Sequence, residues 1–244
     1  MTTFNFRDGS GPVPAHQHPN GGGWVADSAT VADTAYIGPT ARVSGGAQVS
    51  GNAQVSGTAR VSGNAQVYGT ARVSGDARVS GNARVSGDAR VSGDARVYGT
   101  ARVSGDARVS GNAQVYGTAR VSGNAWVSGD AQVSGDAQVS GNAWVSGDAW
   151  VSGDARVSGD AWVSGDAQVF DTRHALTIGP IGSENQSITI WRTRDGHGLS
   201  VGCWQDHQID ELAAEVLRRA PGHAAEYAAA EALIRVRIAE WDRQ

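Results

Sequence analysis

Cysteine is nearly missing from this chain: Cys203 stands alone among 244 residues, which excludes an intrachain disulfide framework. Long uncharged apolar runs are missing too, and no stretch approaches the about 20 apolar residues that a membrane-spanning helix needs. The opening segment MTTFNFRDGSGPVPAHQHPNGGG lacks the basic-then-apolar pattern of a secretory signal, so a soluble protein of the cytoplasm is expected. There is no excess of positive charge. A net charge of −4 and a pI near 5.8 give no global pull toward nucleic acid or acidic lipid. Histidine is scarce, and His16, His18, His174, His197, His207 and His223 are all of it.

What the chain has in abundance is one six-residue phrase, Ala-x-Val-Ser-Gly-[Asn/Asp]. It runs from Gly23 to Asp171 in 25 hexads. With 34 glycines and much serine, disordered low-complexity sequence is the first suspicion. A valine at every sixth position argues against it, because a disordered linker has no use for periodic burial. Within Ala-x-Val-Ser, small apolar residues alternate with polar ones, the period of a half-buried strand. Gly followed by Asn or Asp tolerates the left-handed angles of a tight corner. Four extended residues and a two-residue corner make one side of a polygon, and three sides return the chain above its start after 18 residues. Fixed short periods of this kind signal stacked solenoids. About eight coils at about 4.8 Å each give a prism on the order of 40 Å long.

Segments such as Ala47-Gln48-Val49-Ser50-Gly51-Asn52 resemble the hexapeptide repeat of left-handed parallel β-helix proteins. The resemblance covers about 60% of the chain. It implies a mainly β fold, a triangular left-handed parallel β-helix that departs from the usual right-handed crossover. One difference is that the buried position is nearly all Val, where the family often has Ile or Leu, which implies a narrow and uniform bore.

An open last coil is an exposed strand edge, so both ends need covering. Residues 1–22 are expected to cap the first coil. The pair His16 and His18 has no third ligand in sight, so two solvated histidines are expected rather than a metal site. Beyond residue 171 the period stops. Residues 172–244 read as a small β-β-β-α-α cap or oligomerisation domain, with strands expected at 175–181, 187–194 and 197–204. Asp195-Gly196 supplies a hairpin turn between the last two. Ile209, Leu212, Ala213, Val216 and Leu217 fall at helical spacing, followed by a stop at Pro221 and a second helix from about His223 to Trp241. The stretch TRDGHGLSVGCWQDHQIDELAAEV is similar to tails of hexapeptide-repeat proteins from phages and prophages, some labelled as polymer-forming scaffolds. That resemblance implies a phage-encoded protein of the host cytosol. Cys203, Asp206 and His207 suggest a nucleophile and its base. The alternation Leu199, Val201, Cys203 makes a buried strand cysteine the stronger expectation.

The x position of each hexad faces solvent, and the coil sorts it into three columns. One reads Gln54, Arg72, Arg90, Arg108, Trp126, Trp144, Trp162. The next reads Arg42, Arg60, Arg78, Arg96, Gln114, Gln132, Trp150, Gln168, with Tyr98, Tyr116 and Phe170 on a line beside it. The third reads Gln48, Gln66, Arg84, Arg102, Arg120, Gln138, Arg156, with Tyr68 beside it. Charge divides along the rod: ten Arg and four Asp from Ala41 to Asn124, then one Arg and six Asp from Ala125 to Phe170. Alternating charge keeps a rod soluble, but it does not account for four exposed tryptophans, three of them stacked coil upon coil. Large exposed apolar patches mark contact surfaces. The expected partner- or ligand-binding surface is Trp126, Trp144 and Trp162 together with Trp150, Arg72, Arg90, Arg108, Tyr98 and Tyr116. The tryptophans are expected to be buried against another copy or against the chain's own helices. Stacked Asp130, Asp148 and Asp166 have the oxygen ligands Ca²⁺ prefers, yet solvated corner residues are the plainer expectation. Stacked arginines match phosphate, but Asp88, Asp94 and Asp106 flank them, so nucleic acid is not an expected partner.

The favoured expectation is a non-catalytic, self-associating solenoid serving as a scaffold or protein-interaction surface. The resemblance implies a homo-oligomer, with a trimer favoured, and no cofactor or metal is expected. The alternative is a phage-borne protein that sequesters a nucleotide or small anion between subunits. Many hexapeptide-repeat proteins resemble acyltransferases, but that chemistry needs a histidine base or ligand on the coils. Here every histidine lies outside the hexads, and no inserted loop forms an acceptor pocket. Enzyme activity is therefore not expected.

Overall fold

The Ala and Val of each hexad turn inward, and this one alternation decides the architecture. The computed structural model describes residues 2–241 and 243; Met1, Asp242 and Gln244, at the outer limits of the two expected end segments, lie outside them. From Trp24–Ala26 to Gln168–Val169 the chain makes 25 short strands, which stack into three parallel sheets. The register pairs Arg72 with Arg90 and Val73 with Val91, so each coil takes 18 residues. Val79 and Val109 are completely buried, as are nearly all Ala and Val of the coils. The product is a three-sided β-solenoid of about eight coils with a continuous aliphatic bore.

The three sides reproduce the three sequence columns. The tryptophan face carries Tyr36, Gln54, Arg72, Arg90, Arg108, Trp126, Trp144 and Trp162. The tyrosine face runs from Trp24 through Arg42 and Arg96 to Trp150 and Gln168. The third face runs from Thr30 to Arg156. Each rung donates its N–H groups to the next coil, as Arg72 N–H does to the Ala89 carbonyl at 2.9 Å. Corners close on glycine for two reasons. Gly93 sits at φ +66°, and a Cβ there would meet the backbone N and O of Gly111 one coil above at 3.0 Å. The residues after these glycines form polar ladders of their own: Asn112 donates to Asp130 at 2.8 Å and Asn142 to Asp160 at 2.9 Å.

Upward donation leaves carbonyls free on the first coil and N–H groups free on the last, so the two ends differ chemically. At the first end, strands Thr3–Asn5 and Pro12–Gln17 form an antiparallel hairpin that extends the tyrosine-face sheet through Trp24–Ala26. The Phe4 ring stacks on Trp24 at 4.4 Å, and the Arg42 guanidinium lies 5.2 Å from the Phe4 centroid. Burial here holds the Arg42 guanidinium below its usual range, with Arg60 adding to the effect. The expected pair of solvated histidines divides. His16 is exposed and meets Asp27 at 2.8 Å, whereas His18 is buried at 3% exposure with Nδ1 beside the Asn20 carbonyl.

The other end is covered by an antiparallel sheet of four strands rather than the three expected: Ala175–Ile181, Gln186–Arg192, His197–Val201 and Trp204–His207. Gly202, at φ +53°, turns the chain where the sequence alternation ran on, so Trp204 opens a new strand. Cys203, expected inside a strand, is an exposed turn residue. Helices α1 (Ile209–Arg219) and α2 (Ala224–Trp241) cover the outer side of this sheet, packing on Ile188, Ile190 and Leu199. The inner side meets the rod. Trp191 belongs to the same apolar cluster as the coil valines and is 1% exposed, so it stops the bore like a cork. The Trp162 N–H donates to Thr189 Oγ1 at 3.1 Å, Phe170 N–H to His174 Nδ1 at 3.2 Å, and Ser164 Oγ to Asp206 at 2.6 Å. These bonds satisfy part of the free edge of the last coil.

Candidate association surface

The tryptophan face is built by register alone. Because Arg108 pairs with Trp126, Trp126 with Trp144 and Trp144 with Trp162, the three indoles stand one coil apart on the same side. Their rings stack with centroids 4.4 Å apart at both steps and interplanar angles of 21° and 15°. Stacking covers flat faces of the rings, all three indoles are half-buried, and the Trp162 indole nitrogen is buried without a hydrogen-bond partner among the described residues. Below the ladder, the Arg108 guanidinium lies 5.6 Å from the Trp126 centroid, within cation–π range. The Trp126 indole N–H donates to Ser110 Oγ at 3.1 Å. Above it, the four-stranded sheet takes the Trp162 backbone.

Of the two coverings expected for this ladder, the chain's own helices take a different place. Their apolar residues join the four-stranded sheet in a separate cluster that contains none of the three tryptophans. Arg72 and Arg90 continue the column downward and are exposed. The other named residues fall on the tyrosine face. Tyr98 and Tyr116 stack at 5.0 Å with rings nearly parallel at 2°. Each hydroxyl donates to the glutamine one coil up, Gln114 and Gln132, at 3.3 Å. Burial raises the Tyr98 hydroxyl above the usual phenol range, with Tyr116 adding to it. Trp150, 44% exposed, meets the Phe170 ring edge-on at 5.3 Å. The nine residues therefore form two separate surfaces. The ladder with Arg72, Arg90 and Arg108 is one, and Tyr98, Tyr116 and Trp150 belong to the other.

Charge on the rod is segregated and uncompensated. Among the described residues, none of the rung arginines from Arg42 to Arg156 and none of the rung aspartates from Asp76 to Asp166 makes an ion pair. Arg72, Arg90 and Arg108 stand directly above one another, a like-charge arrangement that costs free energy in a sheet.

The polar groups named for catalysis do not converge. The Cys203 sulfur lies 3.6 Å from Arg219, Asp206 accepts from Ser164, and His207 pairs with Glu211 at 2.8 Å while stacking on Trp204. His174 holds the Phe170 N–H, and His197 Nε2 accepts the first N–H of α1, from Ile209, at 3.2 Å. Sequence reasoning missed Trp191 and the burial of His18.

Fold and surface together define a class: a three-sided β-solenoid with polar corners, one corked end and long uninterrupted faces. Comparison with known families agrees. Residues 35–143 match the family described as bactofilin, polymer-forming cytoskeletal. Residues 137–153 and 149–165 match the YdcK β-solenoid repeat. Comparison with curated proteins gave no match.

Proposed function

We propose that this chain is a structural, self-associating rod of the cytoplasm whose faces serve as contact surfaces, and that it is not a catalyst. The observation that carries the reading is the match of residues 35–143, inside the coils, to a polymer-forming cytoskeletal family. Two features support it. The coils run without an inserted loop from Trp24 to Val169, which leaves flat faces suited to side-by-side contact. Those faces carry stacked, half-buried tryptophans, an apolar patch of the kind that marks a contact surface, and columns of like charge that an opposite charge on a partner would relieve. The six histidines lie off the coils, and each of those near the cap serves a structural contact. Light scattering on a sizing column tests the reading. The parent should elute as an assembly, and Trp126→Ser/Trp144→Ser/Trp162→Ser should elute smaller. A parent that is a monomer at every concentration refutes self-association.

A further inference from the structure

The tryptophan face has an internal order that a second copy can answer. Upward from Arg72, its column reads three arginines and then three tryptophans. The corner that follows carries Asp130, Asp148 and Asp166 on the tryptophan rungs and Asp76, Asp94 and Asn112 on the arginine rungs, so the arginine rungs are nearly neutral to basic and the tryptophan rungs wholly acidic. A two-fold axis lying across the face between Arg108 and Trp126 sets Arg108 against the partner's Trp126. The same axis sets Arg90 against Trp144 and Arg72 against Trp162. From the self-complementarity of this column, and resting on the self-association reading above, we propose that two copies of this chain pair side by side and antiparallel through their tryptophan faces.

Three observations select this arrangement. The first is charge: the basic half of one rod lies along the acidic half of the other, and both sets lack ion-pair partners within the chain. The second is the ring geometry. The indoles stay partly exposed after stacking, and the aliphatic stems of the facing arginines cover them while the guanidinium groups reach the corner carboxylates. The third is that a parallel two-fold pair would set Arg72, Arg90 and Arg108 against their own copies, which adds repulsion to columns already stacked. A closed, isologous pair of this kind has the same patch on both sides.

The test uses two single-cysteine rods, Ser92→Cys and Ser146→Cys, each also carrying Cys203→Ser. Ser92 and Ser146 follow Arg90 and Trp144 by two residues, point outward and are partly exposed, so the fold tolerates both changes. The antiparallel pair predicts a cross-linked heterodimer when the two rods are mixed and none from either rod alone. Replacing Arg72, Arg90 and Arg108 by Gln should weaken association about tenfold or more, as should a rise in salt. Self-cross-linking of Ser92→Cys, or assembly without the mixed product, overturns this arrangement and leaves self-association standing. A monomer by sedimentation overturns both, and basic columns that bind an added polyanion while the chain stays monomeric do so as well.

Discussion

Trp191 offers the sharpest perturbation of the cap. Its indole is 1% exposed and packs with the coil valines at the end of the bore, while Gly198 approaches so closely that a Cβ there would meet the indole nitrogen at 2.5 Å. A buried indole removes about 200 Å² from water, worth about 5 kcal/mol at about 25 cal/mol per Å². Truncation leaves a cavity that the stacked coils cannot collapse into, because their backbone spacing is fixed by hydrogen bonds. Trp191→Ala should therefore destabilise docking of the cap by about 3–5 kcal/mol, and Trp191→Phe by less. Hydrogen exchange followed by mass spectrometry is the assay. Protection should fall across residues 156–170 and 175–207 while the middle coils keep theirs. Unchanged protection at the rod end in Trp191→Ala would refute the view that this indole holds the cap on the bore.

Val109 faces the bore with no exposure, so Val109→Asp buries an unpaired charge. Loss on the order of 4 kcal/mol or more, read from the chemical denaturation midpoint, is expected. His174 makes the cap sensitive to acid. Burial first, and Arg192 second, hold it below the ordinary histidine value of 6.5. A depressed folded value means that the unfolded chain takes the proton more readily. The histidine's contribution is therefore whole above 6.5 and is lost as pH falls from there through the folded value. Thermal unfolding of the cap by near-UV circular dichroism should show lower stability in that window, and His174→Asn should flatten the dependence. Equal slopes in parent and variant would remove His174 as the cause.

The rod was legible in the sequence because its information is local. Each Val and Ala states its own burial, each Gly its corner, and the 18-residue return follows by counting, so the columns through Arg72, Trp126 and Trp162 emerge without further input. The ends were less legible because they depend on contacts between different kinds of element. Ile188, Thr189, Ile190 and Trp191 are all buried, two toward the helices and two toward the rod, and such a strand shows no alternation to read. Cys203 continued the pattern of Leu199 and Val201, and only the turn at Gly202 reveals that it lies outside. His18 reads as polar and therefore solvated, yet backbone bonds from His18 to Gly22 and Gly23 draw its segment over the first coil, beside Ile37. The tryptophan ladder was legible as a column because register alone builds it.

Electron microscopy of the purified full chain over a range of concentrations tests the central claim most directly. A structural, self-associating rod predicts ordered assemblies of more than one solenoid that grow more abundant with concentration. Single capped rods on the order of 40 Å long, unchanged at the highest concentration, would contradict it.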